Sequence, residues 1–186
     1  MIEDDGVDAF TLRQCARRAG VSHAAPKNHF ATAEDLLAEI AARGFERFVT
    51  ALDAAANSEP GQSPDRRLIA MGRAYVAFAR GHPGVYGLMF RKPRQEVASP
   101  HLDEASRAAW LQLDTAVRAV IGSEAADSAV KSAQVWAMVH GIASLLIDRR
   151  LHPSIDPGAV IEESLASLPA AIKKTGTEEK QQTRVA

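Results

Sequence analysis

The chain has 186 residues, 46% of them hydrophobic, and a net charge of -1, so it holds enough apolar material for one large domain or a small module fused to a larger one. Its single cysteine, Cys15, excludes an internal disulfide framework and fits a reducing cytoplasm. The acidic start Met1-Ile2-Glu3-Asp4-Asp5 lacks the basic and then apolar pattern of a secretory signal.

Alanine is abundant, long β-branched runs are absent, and Gly and Pro fall mainly between periodic segments, which together predict an all-α fold. Thr11 opens the first clear helix as an N-cap. Leu12, Cys15, Ala16 and Ala19 then follow at i, i+3, i+4 and i+7 as one apolar face. Gly20 ends that helix, being able to take a positive φ. Ser22 caps a second helix, expected over 23–30. Pro26 falls in its first turns, so this helix should be short and irregular. Thr32 caps a third, with Asp35 three residues on as a capping-box partner, and Leu37, Ile40, Ala41, Phe48 and Leu52 carry its stripe to about Ala56.

Residues 57–64 form a linker rich in turn formers. A long helix is expected from Asp65 to about Arg80, with Leu68, Met71, Gly72, Tyr75, Val76 and Ala79 buried. Gly81-His82-Pro83 breaks it. A short apolar helix, Val85 to Phe90, is stopped by Arg91-Lys92-Pro93-Arg94. Further helices are expected over 100–121 and 125–151, and a last one begins near Pro157 and carries Val160, Ile161, Leu165 and Leu168. The most apolar stretch, 129–147, contains Lys131, Gln134 and His140 and is read as a buried helix, with no membrane partner. From Lys173 onward the chain is polar and aperiodic, as a flexible tail would be.

The segment 11–30 carries function. It holds Arg13, Arg17, Arg18 and Lys27 and no acidic residue, between flanks bearing Glu3, Asp4, Asp5 and Asp8 on one side and Glu34, Asp35 and Glu39 on the other. A local basic patch is the electrostatic footprint of phosphate contact, although a solvated helix face gives the same charge pattern. A capped amphipathic helix, a tight Gly turn and a second cap are the grammar of a helix-turn-helix, and also of an ordinary helical hairpin. Ala16 and Ala19 supply small residues where two helices cross. Val21 is expected to pin the turn to the core, and Arg13, Gln14, Arg17 and Arg18 form the outer face.

At this point the chain resembles the tetracycline-repressor (TetR/AcrR) family. The resemblance rests on Gly6-Val7-Asp8-Ala9-Phe10-Thr11-Leu12, Ala16-Arg17-Arg18-Ala19-Gly20-Val21-Ser22, His29-Phe30 and Glu34-Asp35-Leu36-Leu37. A second region agrees: Arg73-Ala74-Tyr75-Val76, His82-Pro83, Tyr86-Gly87-Leu88-Met89-Phe90, and Trp136 with His140-Gly141 are similar to the subgroup marked by a Trp…His-Gly element. The pattern departs from the family in three places. Only five residues precede Gly6, where the family has a full first helix. Lys27 stands where a phosphate-touching Tyr is usual, and Ala33 where a phosphate-binding Lys is common. An in-frame stretch upstream of the Met1 codon encoding about a dozen more amphipathic residues, roughly three helical turns, would restore the first helix.

The resemblance implies a dimeric, cytoplasmic transcriptional regulator. Residues 1–47 would bind DNA, 48–172 would bind ligand and dimerise through the last two helices, and 173–186 would be the tail. The implied partners are a pseudo-palindromic double-stranded DNA operator, a small apolar effector and a second copy of the chain. The implied DNA-contacting set is Thr11, Arg13, Arg17, Arg18, Ser22, His23, Ala24, Lys27, Asn28 and His29. The arginines and Lys27 reach phosphates, Asn28 is suited to adenine, and His29 with Phe30 is expected to pack under the recognition helix. The implied ligand set is Met71, Tyr75, Phe78, Tyr86, Met89, Phe90, Trp110, Trp136 and His140, side chains that serve equally as core. An alternative is a dimeric small-molecule-binding or scaffold protein that has lost DNA binding. No catalytic residues, cofactor or metal are expected. The chain lacks paired carboxylates, a Glu-x-x-His pair, a phosphate loop and a nucleophile with a base, and His82, His101, His140 and His152 lack metal-ligand spacing.

Overall fold

A computed structural model describes residues 2–7, 10–22, 24–58, 60–92 and 99–173. In chain order its elements are α1 (Ile2–Asp5), α2 (Leu12–Arg18), a 3-10 turn (Pro26–Asn28), α3 (Ala33–Ala56), α4 (Pro64–Gly81), α5 (Pro83–Met89), α6 (Pro100–Ile121), α7 (Ser128–Ile147) and α8 (Pro157–Lys173). No strand occurs among the described residues, in keeping with the all-α expectation.

The helix starts follow from local chemistry. Three long helices open with a capping side chain followed by proline, whose missing N–H would lack an intrahelical partner there anyway. Ser63 Oγ accepts from Arg66 N–H at 3.3 Å, Ser99 Oγ accepts from Leu102 N–H at 3.3 Å, and the Asp156 carboxylate accepts from Gly158 and Ala159 N–H at 3.0 and 3.1 Å. At α3, Thr32 and Asp35 cap each other. Asp35 N–H donates to Thr32 Oγ1 at 3.1 Å, and Thr32 N–H donates to Asp35 Oδ2 at 2.7 Å.

Helix α5 lacks a cap of its own, because His82 makes no side-chain cap hydrogen bond. The N–H groups of its second and third residues, Gly84 and Val85, donate instead to the Glu3 carboxylate at 2.6 and 3.1 Å. Glu3 thus caps from 81 residues away in sequence. The approach is close: a Cβ at Gly84 would lie 2.7 Å from the Ile2 carbonyl oxygen. Glu3→Ala should therefore cost about 1 kcal/mol in a denaturant melt, the usual loss for an N-cap, and Glu3→Gln less. Equal stability of all three proteins would show that the cap contributes nothing.

The chain divides into two compact units, neither continuous in sequence. The first takes residues 1–49 and 81–109, the second 50–80 and 110–186. In the first unit Ile2, Phe10, Leu37, Ala41 and Leu88 form a buried cluster, with Val7, Cys15, Leu36, Ile40 and Leu102 packed against it. Residue 2 is thus core, and α1 forms a single helical turn. In the second unit Leu68, Val76, Val117, Leu165 and Leu168 are fully buried, and α7 packs along α8.

Helix α7 is shorter than the expected 125–151. Residues 122–128 are taken up by three-residue turns, Ala125 N–H to Gly122 O and Ser128 N–H to Ala125 O, both 3.3 Å. At the other end Arg149, at φ +53°, sets a Schellman stop: Arg150 N–H reaches Leu145 O at 2.9 Å and Arg149 N–H reaches Leu146 O at 3.3 Å. A non-glycine residue at that position leaves no sequence signal. By length and composition α7 is also apolar enough to cross a bilayer, yet its buried face includes Ser128, Lys131 and Ser132. The expectation of a buried helix holds for that face only, since Val130 is 60% and Leu145 43% exposed. Of the expected tail, Lys173 closes α8 and pairs with Asp65 at 2.7 Å; residues 174–186 lie outside the described residues.

Candidate functional site

Helix α2 has the predicted start and stop. Gln14 N–H donates to Thr11 Oγ1 at 3.2 Å, and the Thr11 hydroxyl donates to Gln14 Oε1 at 3.0 Å. The helix ends in a Schellman turn with Gly20 at φ +68°. Val21 N–H reaches Ala16 O at 3.0 Å and Gly20 N–H reaches Arg17 O at 3.2 Å. Ala16 is fully buried, and Cys15 packs against the first unit's core as expected. Two expectations fail: Ala19 is exposed, and Val21 is 48% exposed and so does not pin the turn to the core. Gly20 reverses the chain, and both residues flank that reversal on its solvent side. Arg13, Arg17 and Arg18 are exposed. The last two stand in the final turn of α2, where a cation also offsets the helix dipole.

The expected recognition helix over 23–30 is not an α-helix. It is a 3-10 turn of three residues, Pro26–Asn28. Pro26 has no N–H to continue an α ladder from Ser22 O, and that carbonyl accepts from Ala25 N–H at 3.0 Å instead. Lys27, Asn28 and His29 likewise bond three residues back, at 3.1, 3.3 and 3.1 Å. Asn and His are weak helix formers and do not rescue the ladder. Ser22, Ala24, Lys27, Asn28 and His29 are all exposed, while Phe30 is half-buried. The exposed His29 does not pack under this segment, and its ring lies 6.5 Å from that of Phe30. His23 lies outside the described residues.

The expected ligand residues divide between the two units. Tyr86, Met89 and Phe90 belong to the first. There Phe90 packs edge-on to Phe45 and Tyr86, centroids 5.5 and 5.1 Å apart. Met71, Tyr75, Phe78, Trp110, Trp136 and His140 belong to the second. Four of these form an edge-to-face chain across α4, α6 and α7. Trp110 stands 6.5 Å from Trp136, Trp136 5.8 Å from His140, and His140 6.5 Å from Tyr75. Tyr75 Oη and His140 Nδ1 are 2.9 Å apart, in hydrogen-bond contact. Burial pushes the His140 imidazole below its ordinary value, so it is neutral near pH 7 and offers one donor and one acceptor. Trp110 and Trp136 are 37% and 40% exposed, leaving aromatic surface beside this polar pair.

A polar network in the second unit was not predicted. Asp114 accepts from Arg118 Nε at 2.6 Å and from the Ser132 hydroxyl at 2.9 Å, which holds its carboxyl below the usual carboxylate range. It explains why α7 turns a serine inward, and helix periodicity gave no sign of it.

Residues 68–168 match the family described as tetracyclin repressor-like, C-terminal domain. Over 176 residues the chain is 25% identical to the uncharacterized HTH-type transcriptional regulator Rv0681 of Mycobacterium tuberculosis, covering 95% of this chain and 78% of that protein. Among solved structures, a Rhodococcus sp. RHA1 protein of unknown function is 30% identical with a TM-score of 0.81, over 93% of this chain and 90% of that one. The TetR family regulator PfmR of Thermus thermophilus shares the fold at 18% identity and a TM-score of 0.65, covering 90% of this chain and 91% of its own.

Proposed function

We propose, starting from the fact that this chain belongs to the tetracycline-repressor family, that it is a DNA-binding transcriptional regulator, a repressor released from its operator by a small apolar effector. The observation that carries this reading is the capped α2, its Gly20 turn and the exposed basic set Arg13, Arg17, Arg18 and Lys27, in a chain whose larger part matches the family. Residues 1–47 are assigned to DNA and 48–172 to effector and dimer. Arg13, Arg17, Arg18 and Lys27 meet phosphates, Thr11 at the α2 cap and Ser22 just after the Gly20 turn flank them, and His23, Ala24, Asn28 and His29 face the groove. The second unit's Met71, Tyr75, Phe78, Trp110, Trp136 and His140 are assigned to the effector. An apolar ring system with one polar atom suits an aromatic wall beside a Tyr–His pair.

The dimer would form through α7 and α8 as a four-helix bundle with a two-fold axis. The exposed Val130 and Leu145 of α7, with the exposed small residues Ala166, Ala170 and Ala171 of α8, support that placement. The two heads would then meet half-sites about one helical turn apart, in the cytoplasm. An effector needs only a few kcal/mol of differential binding between the two head spacings to release the operator.

One observation favours the alternative of an effector-binding dimer that no longer reads DNA: the groove-facing segment is a single 3-10 turn. A gel-shift titration with the DNA upstream of the protein's own gene separates the two. A retarded complex that resists unrelated competitor DNA is expected. Binding no tighter than to competitor would leave the effector-binding dimer.

A further inference from the structure

We infer that His101 is a proton-held clamp that fastens the first turn of α6 to α3 inside the first unit, and that the clamp opens as pH rises. His101 is the second residue of α6. Its Nδ1 lies 2.9 Å from Glu39 Oε2 and its Nε2 lies 3.0 Å from Glu46 Oε1. An ionised carboxylate only accepts hydrogen bonds, so both ring nitrogens must carry protons for both contacts to exist. The geometry therefore specifies an imidazolium. Loss of one proton leaves one ring nitrogen lone pair facing a carboxylate, and that contact becomes repulsive.

Glu39, Arg43 and Glu46 recur at i, i+4 and i+7, on one face of α3. Arg43 Nε donates to the other Glu39 oxygen at 2.7 Å, which keeps that carboxylate ionised and aimed. The charged groups facing His101 from α3 are thus two carboxylates and, behind one of them, a guanidinium. On its own helix Asp103 and Glu104 are exposed neighbours of the same sign as the two glutamates. A helix N-terminus disfavours a cation only weakly at an exposed site, whereas two charge-assisted hydrogen bonds favour it more strongly.

The hydrogen bond to Glu39, and next that to Glu46, hold the imidazole above its ordinary value of 6.5. The sign follows by linkage. A raised folded-state value means the clamp's stabilisation is complete below 6.5 and is lost as pH rises through the folded-state value. His140 has the opposite sign. Its depressed value costs the second unit stability as pH falls below 6.5. A global melt therefore mixes the two, and the test must resolve residues.

The test is an NMR titration of the full chain with labelled histidines, together with hydrogen exchange of the amides of residues 103–107. The His101 midpoint should lie above 6.5 in the wild type and fall in the Glu39→Gln/Glu46→Gln double variant. After correction for intrinsic exchange, protection of residues 103–107 should drop as pH rises through that midpoint. His101→Arg should keep protection on the alkaline side, and His101→Gln should show low, pH-independent protection. A wild-type midpoint at or below the ordinary value overturns the clamp without any variant having to fold. So does a midpoint unmoved by the double variant, or protection that ignores pH in the wild type.

Discussion

Replacing Arg13, Arg17, Arg18 and Lys27 together by alanine is expected to lower operator affinity by at least about a hundredfold and to flatten its dependence on salt. Each phosphate contact releases condensed counterions and adds roughly 0.9 to the slope of log affinity against log salt. Four contacts per head sum to about 3.6, so between about 50 and 200 mM salt the wild type should lose about a hundredfold more affinity than the variant, counted for one head. All four side chains are exposed, so the variant should fold with little change in stability. A fluorescence-anisotropy titration at several salt concentrations reads both quantities. An unchanged slope would mean that these residues are only a solvated face. The departures at Lys27 and Ala33 bear on the same slope. On the proposed reading Lys27 would meet a phosphate as a point charge and Ala33 would offer no contact, so the wild-type slope should itself be shallower by about one counterion than with a lysine at 33.

Leu165→Ala should destabilise the protein by about 3 kcal/mol, within the roughly 2–5 kcal/mol range for emptying a fully buried leucine site. Its neighbour makes the prediction sharper. A Cβ at Gly72 would lie 2.6 Å from Leu165 Cδ2, so Gly72→Ala in the wild type forces Leu165 out of place on the facing helix. That strain should outweigh the 0.5–1 kcal/mol or so that alanine gains over glycine within a helix. In the Leu165→Ala background the same methyl enters vacated space, and its effect should change sign. Denaturant melts of the four proteins form the cycle. Additive effects would show that Gly72 and Leu165 do not share a packing site.

The helix order was legible in the sequence because it depends on local rules. Pro157 and the Thr32–Asp35 pair mark helix starts that the structure places at those residues, and the helix expected from Asp65 begins one residue earlier, at Pro64. Gly20 marks the end of α2 for the same reason. What could not be read depends on partners distant in the chain or on residues acting against type. Glu3 caps a helix 81 residues away, and His101 finds carboxylates 62 and 55 residues back. Arg149 takes a left-handed conformation usually left to glycine. Pro26 warned of an irregular second helix, and the structure goes further by replacing it with a 3-10 turn. The basic and aromatic residues were legible as candidates, but their division between two units was not, because α3, α4 and α6 each run from one unit into the other.

The most direct test of DNA recognition through residues 11–30 is a nuclease footprint on the DNA upstream of the protein's own gene. A dimer of reading heads predicts two protected half-sites in a pseudo-palindrome, about one helical turn apart, with protection lost when Arg13, Arg17, Arg18 and Lys27 are alanine. Protection that is absent, or that survives those substitutions unchanged, would contradict it.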